Sequence, residues 1–221
     1  MCGRLTQDVT GDDLADLYGL DEDDLEVLPR QRWNGCPTQD FAICRLGPHD
    51  RRAMEIHRWG LVPSWARDLK IGPRLINARA ETVDSKPSFR AAFARRRCLV
   101  PTNGWFEWQR TGAGKQPWWI SMRESPFSFA GLWEVWDRGL GAVPTFTILT
   151  CPAAPSMEWL HHRQPVIVPR SGYQAWLSAS SEPRELLTLV RAPEEGPFEF
   201  RRVDRRVNSP KNDSPDLLDR V

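Results

Sequence analysis

The spacing of apolar positions predicts β-strands through most of the chain. AMEIHRWGL (53–61) alternates between apolar and polar residues, as a strand with one buried face does. Further strand-like runs are RCLVP (97–101), GWFEWQ (104–109), PWWISM (117–122), FSFAGLW (127–133), TFTILT (145–150), PVIVP (165–169) and FEFRRV (198–203). Turn residues separate them, and regular helices do not intervene. This succession favours an antiparallel sheet in an α+β domain.

Helical periodicity is confined to short segments. DDLADLYGL (12–20) predicts a short helix with Thr10 as a candidate N-cap and Gly19 near its end. SFRAAFARR (88–96) predicts another, capped by Ser85 or Ser88. Three more helical segments are predicted at MEWLHH (157–162, a single turn), SGYQAWLS (171–178) and EPRELLTLV (182–190).

Length and composition favour one soluble domain. The chain has 221 residues, of which 40% are hydrophobic and 27% charged, which is ordinary for a globular protein. We find no repeat or long linker, and therefore expect one domain over 1–221 with a polar tail at about 208–221. No apolar run approaches the ~20 residues of a membrane span. No signal peptide is visible either, so we expect a cytoplasmic protein with no membrane partner.

The charge distribution says more than the net charge of +1. Eight acidic residues are concentrated within positions 12–26, so the remainder carries a charge near +9, almost all of it on arginine. Arginine pairs with phosphate and stacks on flat rings, which suits a phosphate-rich partner. Compositional bias of the source genome is the alternative explanation. The role of the acidic segment 12–26 stays open.

The five cysteines, at positions 2, 36, 44, 98 and 151, are irregularly spaced and form no C-x-x-C motif. Their number and spacing argue against a disulfide framework or a zinc ribbon. Cys98 and Cys151 lie in apolar runs and are interpreted as small core residues. We find neither a metal-ligand spacing nor a phosphate-binding glycine loop, and expect no metal and no cofactor.

Cys2 is a candidate nucleophile because it follows Met1 directly. Removal of Met1 would give Cys2 a free α-amine, whose pKa of ~7.7–8.0 leaves a sizeable minority unprotonated at neutral pH. Such an amine attacks an aldehyde to give a Schiff base, and the neighbouring thiol can close a five-membered thiazolidine on the imine carbon. MCGR by itself is also compatible with an incidental small second residue.

Several other segments, in order, strengthen this hypothesis. They are RWNGCPTQ (32–39), RWGLVPSWA (58–66), NARAET (77–82), RCLVPTNGWFEW (97–108), GLWEVW (131–136) and LHHRQPVIV (160–168). With MCGR, they resemble the SRAP family of abasic-site processing proteins over nearly the whole chain. The departures are Gly35-Cys36, Thr102-Asn103 and Gln164, where the family usually has a small apolar pair, Ala-Asp and Met.

The resemblance implies a fold, a reaction and a set of catalytic residues. The fold would be a mainly antiparallel, barrel-like sheet with flanking short helices. The reaction would be covalent capture of abasic sites in single-stranded DNA during the DNA damage or SOS response, with lyase-like Schiff-base chemistry. Cys2 would be the nucleophile, Asn77 would orient it or the opened sugar, and Glu107 would move the ring-opening proton. His161 would pass a second proton, with His162 as its rival.

The resemblance also suggests how DNA would be held. Candidate phosphate contacts are Arg4, Arg58, Arg79 and Arg163, and Trp65 is a candidate for stacking on a base. The cluster 95–97 (Arg-Arg-Arg) is interpreted as the solvated end of a helix, outside the site. We expect a monomer, associated with the nucleoid when bound to DNA, and the sequence identifies no protein partner.

Three alternative functions stay open. A thiol with a histidine could hydrolyse an amide, as a peptidase or an autoprocessing enzyme does. A noncovalent reader of single-stranded or modified DNA would use the same cations and aromatic residues without a covalent step. An N-terminal-nucleophile amidohydrolase also begins MCG, but the segments after MCGR do not follow that pattern.

Overall fold

The structure, a computed structural model of the chain, describes residues 2–25, 27–112, 114–139 and 141–221. Of Glu22, Asp23 and Pro48 it describes the backbone alone. Two residues that matter to the sequence interpretation therefore lie outside the description. They are Met1, whose removal the Cys2 hypothesis requires, and Glu26 of the acidic segment.

A closed five-stranded barrel forms the larger part of the fold. The strands are β1 Leu5–Gln7, β2 Arg32–Gly35, β3 Asp40–Leu46, β4 Arg52–Trp59, β5 Asn77–Arg79, β6 Arg97–Thr102, β7 Gly104–Thr111, β8 Gly114–Met122, β9 Phe127–Trp136, β10 Val143–Pro152, β11 Arg163–Pro165, β12 Ile167–Val168 and β13 Phe198–Arg202. Around the barrel β10 pairs with β4, β4 with β3, β3 with β6, β6 with β9, and β9 with β10 again. The α+β, mainly antiparallel, barrel-like fold expected from the sequence is confirmed.

Two barrel strands carry additional short strands that matter for the site. The strand β5 pairs in parallel with β10, next to the parallel pairing of β4 and β10. On the other side β11 pairs with the end of β10, and β12 pairs with β9. The parallel pairings were not expected from the sequence, because a run of alternating residues does not specify the direction of its neighbour.

A second, antiparallel sheet has the strand order β13-β8-β7-β1-β2. Its apolar side chains pack against those of the barrel, as the fully buried Leu5 and Ile120 do beside Phe146. Trp105 of this sheet lies edge-on to Phe129 of the barrel, with ring centroids 5.7 Å apart. Burial of each such side chain contributes about 1.5–3 kcal/mol. This shared core fixes β1 and β7, the strands that position the site, relative to the barrel.

Four of the five predicted helical segments form helices, whereas 157–162 lies in a series of turns, and one predicted cap does not form. The helix α1 (Gly11–Tyr18) begins at Thr10, whose hydroxyl accepts from the Asp13 backbone in a capping box, and it ends at Gly19 with a φ of 63°. The helix α2 (Arg90–Arg95) follows Phe89 and has no side-chain cap. Ser85 donates to the carbonyl of Thr82 instead, so the expected serine cap is wrong. The helices α3 and α4 lie at Tyr173–Leu177 and Pro183–Arg191, as expected.

The segment 32–39 combines a strand with a turn. Its first half is the strand β2, and the turn follows at Thr38, whose φ is 72°. The departure at Gly35 now has a structural reason. A Cβ at this position would lie 2.5 Å from the ring of Phe41, so the phenylalanine occupies the space that a side chain would need.

Three polar segments also bind the rest of the fold, although their composition suggests solvated surface. Arg97 is 2% exposed and donates to the carbonyls of Phe93 and Trp176, so its interpretation as a solvated helix end is wrong. Residues 208–221 pack on β2, where Asp213 accepts from the backbone of Asn34. The acidic segment forms ion pairs with distant arginines on the surface, as between Asp16 and Arg170. No helix in the described part of the chain is long and apolar enough to cross a bilayer.

Candidate functional site

Cys2 lies three positions before the first residue of β1, at the contact between the second sheet and the barrel. It is fully buried and belongs to the same apolar cluster as Leu5, Trp105 and Ile148. The side-chain amide of Asn77 donates to the Cys2 carbonyl at 2.7 Å. Residue 77 reaches this position because β5 pairs in parallel with β10, Asn77 opposite Ile148. Two residues that are 75 positions apart in sequence are thereby brought into contact.

The other polar atom of Asn77 points to a binding role. Its carbonyl oxygen Oδ1 is buried and accepts no hydrogen bond from any described residue. An unsatisfied buried acceptor costs about 1–3 kcal/mol, and is therefore often kept for a ligand. Asn77 can thus hold Cys2 through its amide while Oδ1 accepts from an N–H or O–H group brought into the site.

Glu107 lies in the middle of β7 with a side chain only 3% exposed. Burial raises the pKa of this carboxyl above its ordinary value. Burial is also the main reason that the pKa of the Cys2 thiol is raised, and the negative charge of Glu107 adds to that effect. The two groups are therefore close enough to influence each other's protonation, as a proton-transferring carboxyl beside a nucleophile must be.

His161 and His162 lie in the turn between β10 and β11. Their rings stack with centroids 4.4 Å apart. The Nδ1 atom of His161 accepts from the Arg163 backbone at 3.0 Å, which fixes the orientation of this ring. Burial lowers the pKa of His161, whereas the pKa of the exposed His162 is lowered mainly by the charge of His161. Both imidazoles thus favour the neutral form.

A surface pocket of about 700 Å³ brings Glu107 together with the two histidines, and its lining does not include Cys2 or Asn77. Its lining residues are Glu107, Trp108, Gln109, Arg110, Lys115, Glu158, Trp159, Leu160, His161 and His162. A smaller cavity of about 350 Å³ shares Trp108 and Lys115 with it and reaches Arg4 and Gly3. The predicted Glu107, His161 and His162 therefore meet in one pocket that continues toward the residues after Cys2.

The five predicted DNA-contact residues divide into two groups. Arg58, Arg79 and Trp65 are exposed, and 53% of the Trp65 side chain is accessible. Arg4 is half-buried and donates to Asn34 Oδ1 at 2.6 Å. Arg163 is 7% exposed, and its guanidinium is bound by other residues of the protein.

The guanidinium of Arg163 is buried, and it forms an ion pair with the exposed carboxylate of Glu81. Its two terminal nitrogens donate to the carboxylate of Glu81 at 2.6 and 2.9 Å, and one of them also donates to the Thr150 carbonyl at 2.6 Å. The hydrogen bond from Arg163 lowers the pKa of Glu81. These bonds connect β11 to β10 and to the turn that follows β5. Arg163 therefore stabilises the backbone near Asn77, which begins β5, and near His161, which lies two residues before Arg163.

Sequence reasoning missed Lys115, Gln109 and Trp159, which line the pocket. The first two belong to the β7–β8 hairpin, where Gln109 lies beside Glu107 on the same strand face, two positions along. That spacing was a usable signal. Trp159 lies outside the sheet, and only the three-dimensional path of the turn brings it to the pocket. No group of three or more potential metal ligands occurs among the described side chains.

Comparison with known proteins identifies the family of the chain. The family model described as SOS response associated peptidase (SRAP) matches residues 1–210. The abasic site processing protein YoqW of Bacillus subtilis is 36% identical over 99% of both chains, and YoaM of the same organism is 37% identical over 99% of this chain and 98% of its own. A solved structure of a protein from Bacteroides thetaiotaomicron superposes with a TM-score of 0.87 at 26% identity, over 100% of both chains. The chain belongs to the SRAP family.

Proposed function

We propose that this protein processes abasic sites in single-stranded DNA by covalent capture on Cys2 once Met1 has been removed. The observation that carries the proposal is the contact of Asn77 with the Cys2 carbonyl beside the buried carboxyl of Glu107. This arrangement gives the second residue an amide clamp and a neighbouring carboxyl that can serve as its acid–base partner. The names of the relatives YoqW and YoaM, abasic site processing proteins, support the same substrate.

The chemistry follows from the two nucleophiles of an N-terminal cysteine. The ring-opened abasic sugar presents an aldehyde, which the α-amine of Cys2 attacks to form a carbinolamine. Loss of one water gives the imine, and the thiol then adds across the C=N bond, its proton passing to the nitrogen. One C–N and one C–S bond form with the net release of one water, and no oxidant or reductant is needed. The product is a thiazolidine crosslink.

Glu107 fits the proton transfers of this sequence. Its raised pKa keeps the carboxyl protonated at a higher pH than an exposed glutamate, so it can give a proton to the sugar ring oxygen as well as take one from the hydroxyl. Asn77 Oδ1, which is buried and accepts no hydrogen bond from a described residue, is proposed to accept from the amine or the opened sugar. His161, with its ring orientation fixed by Arg163, is proposed to pass a proton at the pocket wall, and His162 remains the exposed alternative.

The DNA strand is proposed to follow the exposed cations. Arg58 and Arg79 are the predicted phosphate contacts with accessible side chains, and the exposed Trp65 can stack on a base. Arg4 and Arg163 instead hold the backbone near Cys2 and His161, because their guanidinium groups bind Asn34 and Glu81. We therefore assign these two arginines to support of the site.

A thiol peptidase is disfavoured by the electrostatics of the site. Such an enzyme needs a thiolate next to an imidazolium. Here burial raises the pKa of the Cys2 thiol and lowers the pKa of His161, so it opposes both charged forms. Capture by an amine does not require a thiolate in its first step.

A denaturing gel tests the proposal. The protein is mixed with an oligonucleotide that carries one abasic site, and the mixture is heated without reductant. We expect a heat-stable shifted band for the wild type and none for Cys2→Ala. Cys2→Ser, which keeps the amine, should be trapped by borohydride but form a much weaker spontaneous adduct. A wild type that shifts DNA only in a native gel would overturn the proposal in favour of a noncovalent reader.

A further inference from the structure

Trp159 is a large apolar side chain held in an exposed position at the rim of the pocket. It is 46% exposed, and Trp65 is the other strongly exposed tryptophan in the described chain. Its indole nitrogen donates to the Ser156 carbonyl at 3.0 Å. The ring also stands edge-to-face against Trp118 at 5.1 Å and Phe200 at 5.3 Å between centroids. These three contacts restrain the indole, whereas a freely exposed tryptophan would sample several rotamers.

This aromatic group is connected directly to the catalytic strand. Trp118 on β8 is the cross-strand partner of Glu107 on β7, and directly opposed residues of an antiparallel pair project from the same face of the sheet. Trp118 also donates to Gln109 at 3.2 Å, the next residue on that face of β7. Trp159 is thus one side chain away from Glu107, and both line the same pocket.

The charge of the pocket rim suits a phosphodiester strand. Lys115 and Arg110 lie opposite each other on β8 and β7, are exposed, and line the pocket with Trp159. Neither forms an ion pair with any residue that the structure describes. Glu158 is the carboxylate of this rim in addition to Glu107. Grooves that bind single-stranded nucleic acid usually combine cations along the phosphate backbone with aromatic side chains on which the bases stack.

We propose that Trp159 is the stacking platform for one nucleotide base next to the abasic site, and that Lys115 and Arg110 contact the phosphates of that nucleotide. The inference rests on the proposed function, since it assumes that single-stranded DNA occupies the pocket of Glu107. Trp159 would be a second aromatic contact with the DNA in addition to Trp65. Trp159 lies between β10 and β11, whereas Trp65 lies between β4 and β5. The two tryptophans would then contact different nucleotides of the DNA.

The test removes the ring and the base separately. Binding is measured by fluorescence anisotropy on single-stranded oligonucleotides with an unreactive tetrahydrofuran at the lesion position. In a second and a third oligonucleotide the base on one flank or the other is also replaced by tetrahydrofuran. We expect the wild type to bind roughly 5- to 100-fold more weakly when the base of one particular flank is missing.

On the oligonucleotide that keeps both flanking bases, Trp159→Ala should bind more weakly than the wild type by the same factor. Its affinity should no longer depend on whether that flanking base is present. Trp159→Phe, which keeps a ring, should retain most of the effect. Leu28→Ala, which removes a side chain that is 56% exposed and outside the pocket, is the control and should behave as the wild type does.

A different response of Trp159→Ala would overturn the inference. If Trp159→Ala lowers the melting temperature but keeps the wild-type response to both flanking bases, Trp159 only covers Trp118 and Phe200, and the inference is wrong. Failure of the proposed function would be seen separately, because a wild type that forms no heat-stable crosslink can still show or lack the flanking-base effect in the binding assay.

Discussion

At the scale of single residues, burial raises the pKa of both Cys2 and Glu107. For an enzyme that attacks with a thiolate this would be a disadvantage, because the thiolate is the reactive form of cysteine. For amine-first capture it is compatible with function, since the thiol adds only after the imine has formed. A carboxyl with a raised pKa is at the same time a better proton donor near neutral pH.

The role of Glu107 leads to a kinetic prediction. Glu107→Gln keeps the size of the side chain but cannot transfer a proton. We expect crosslinking at saturating DNA to slow by roughly 100-fold or more, the usual contribution of general acid–base catalysis. The affinity for an oligonucleotide with an unreactive tetrahydrofuran site should change little.

The matched control is Glu158→Gln, which removes the same charge from the rim of the same pocket. Its effect on the crosslinking rate should be much smaller than that of Glu107→Gln. If both substitutions slow the reaction equally, or if Glu107→Gln weakens only the affinity, then Glu107 contributes charge or binding and does not transfer the proton.

Most residues of the candidate site could be named from the sequence, but the internal contacts of Arg4 and Arg163 could not. Cys2, Asn77, Glu107 and His161 lie in motifs whose order along the chain carries the information. The sequence does not distinguish a free arginine from a paired one. Arg163 finds Glu81 only because β5 and β11 both pair with β10.

At the scale of elements, the barrel strands β3 and β4 carry a charged cluster, in a different sheet from the one that holds Glu107. Arg45 and His57 both bind the carboxylate of Glu55, His57 through Nε2 at 3.0 Å. The hydrogen bond from His57, followed by those from Arg45, lowers the pKa of Glu55 from 4.5 to about 2. Trp133 of β9 packs against both partners, with Arg45 lying 4.9 Å from its ring centre.

This cluster predicts a pH-dependent stability. Because the pKa of Glu55 is lower in the folded chain than its ordinary 4.5, its carboxylate stabilises the fold above pH 4.5, and this stabilisation is lost as the pH falls toward about 2. Glu55→Gln should therefore melt below the wild type at pH 7, and the difference in melting temperature should shrink at pH 3. Thermal unfolding followed by circular dichroism at both pH values measures it.

An exposed carboxylate on another strand provides the comparison. Glu199→Gln on β13 should change the melting temperature little at either pH. A difference between Glu55→Gln and the wild type that stays constant from pH 7 to pH 3 would mean that the carboxylate does not contribute through its charge.

Elements with strong patterns were predictable, and short ones were not. The runs at β6 to β10 are long, alternating or continuously apolar, so their strand character follows from local sequence. The strands β2 and β5 have four and three residues, too few for a pattern, and exist because a neighbouring strand accepts their hydrogen bonds. The lack of a serine cap on α2 has the same origin, since the turn before it already supplies the first hydrogen bonds, such as Arg90 to Lys86.

At the scale of the whole molecule, the C-terminal segment supports the N-terminus. Asn34 donates to the carbonyls of Val207, Ser209 and Asn212 and accepts from Arg4, two residues after Cys2. Trp108, the neighbour of Glu107, donates to Asn208 at 2.7 Å. The polar composition of 208–221 suggested a tail, because polar side chains that bind backbone groups are not distinguishable in the sequence from solvated ones.

The site is therefore assembled from four parts of the chain that meet only in the folded protein. Cys2 precedes β1, Asn77 begins β5, Glu107 lies within β7 and His161 follows β10. The closure of the barrel through the pairing of β9 with β10, together with the parallel pairing of β5, sets their relative positions. Sequence patterns predicted the α+β class, whereas these long-range pairings required the structure.

The central claim is that the α-amine and the thiol of Cys2 both bond to the abasic sugar, and the intact mass of the adduct tests it most directly. The purified protein is incubated with an abasic oligonucleotide without reductant, heated, and measured by mass spectrometry. We predict the mass of the chain without Met1 plus that of the oligonucleotide minus one water, with the link located at Cys2 after proteolysis. An adduct that retains Met1, or a link at a lysine or another cysteine, would contradict the account.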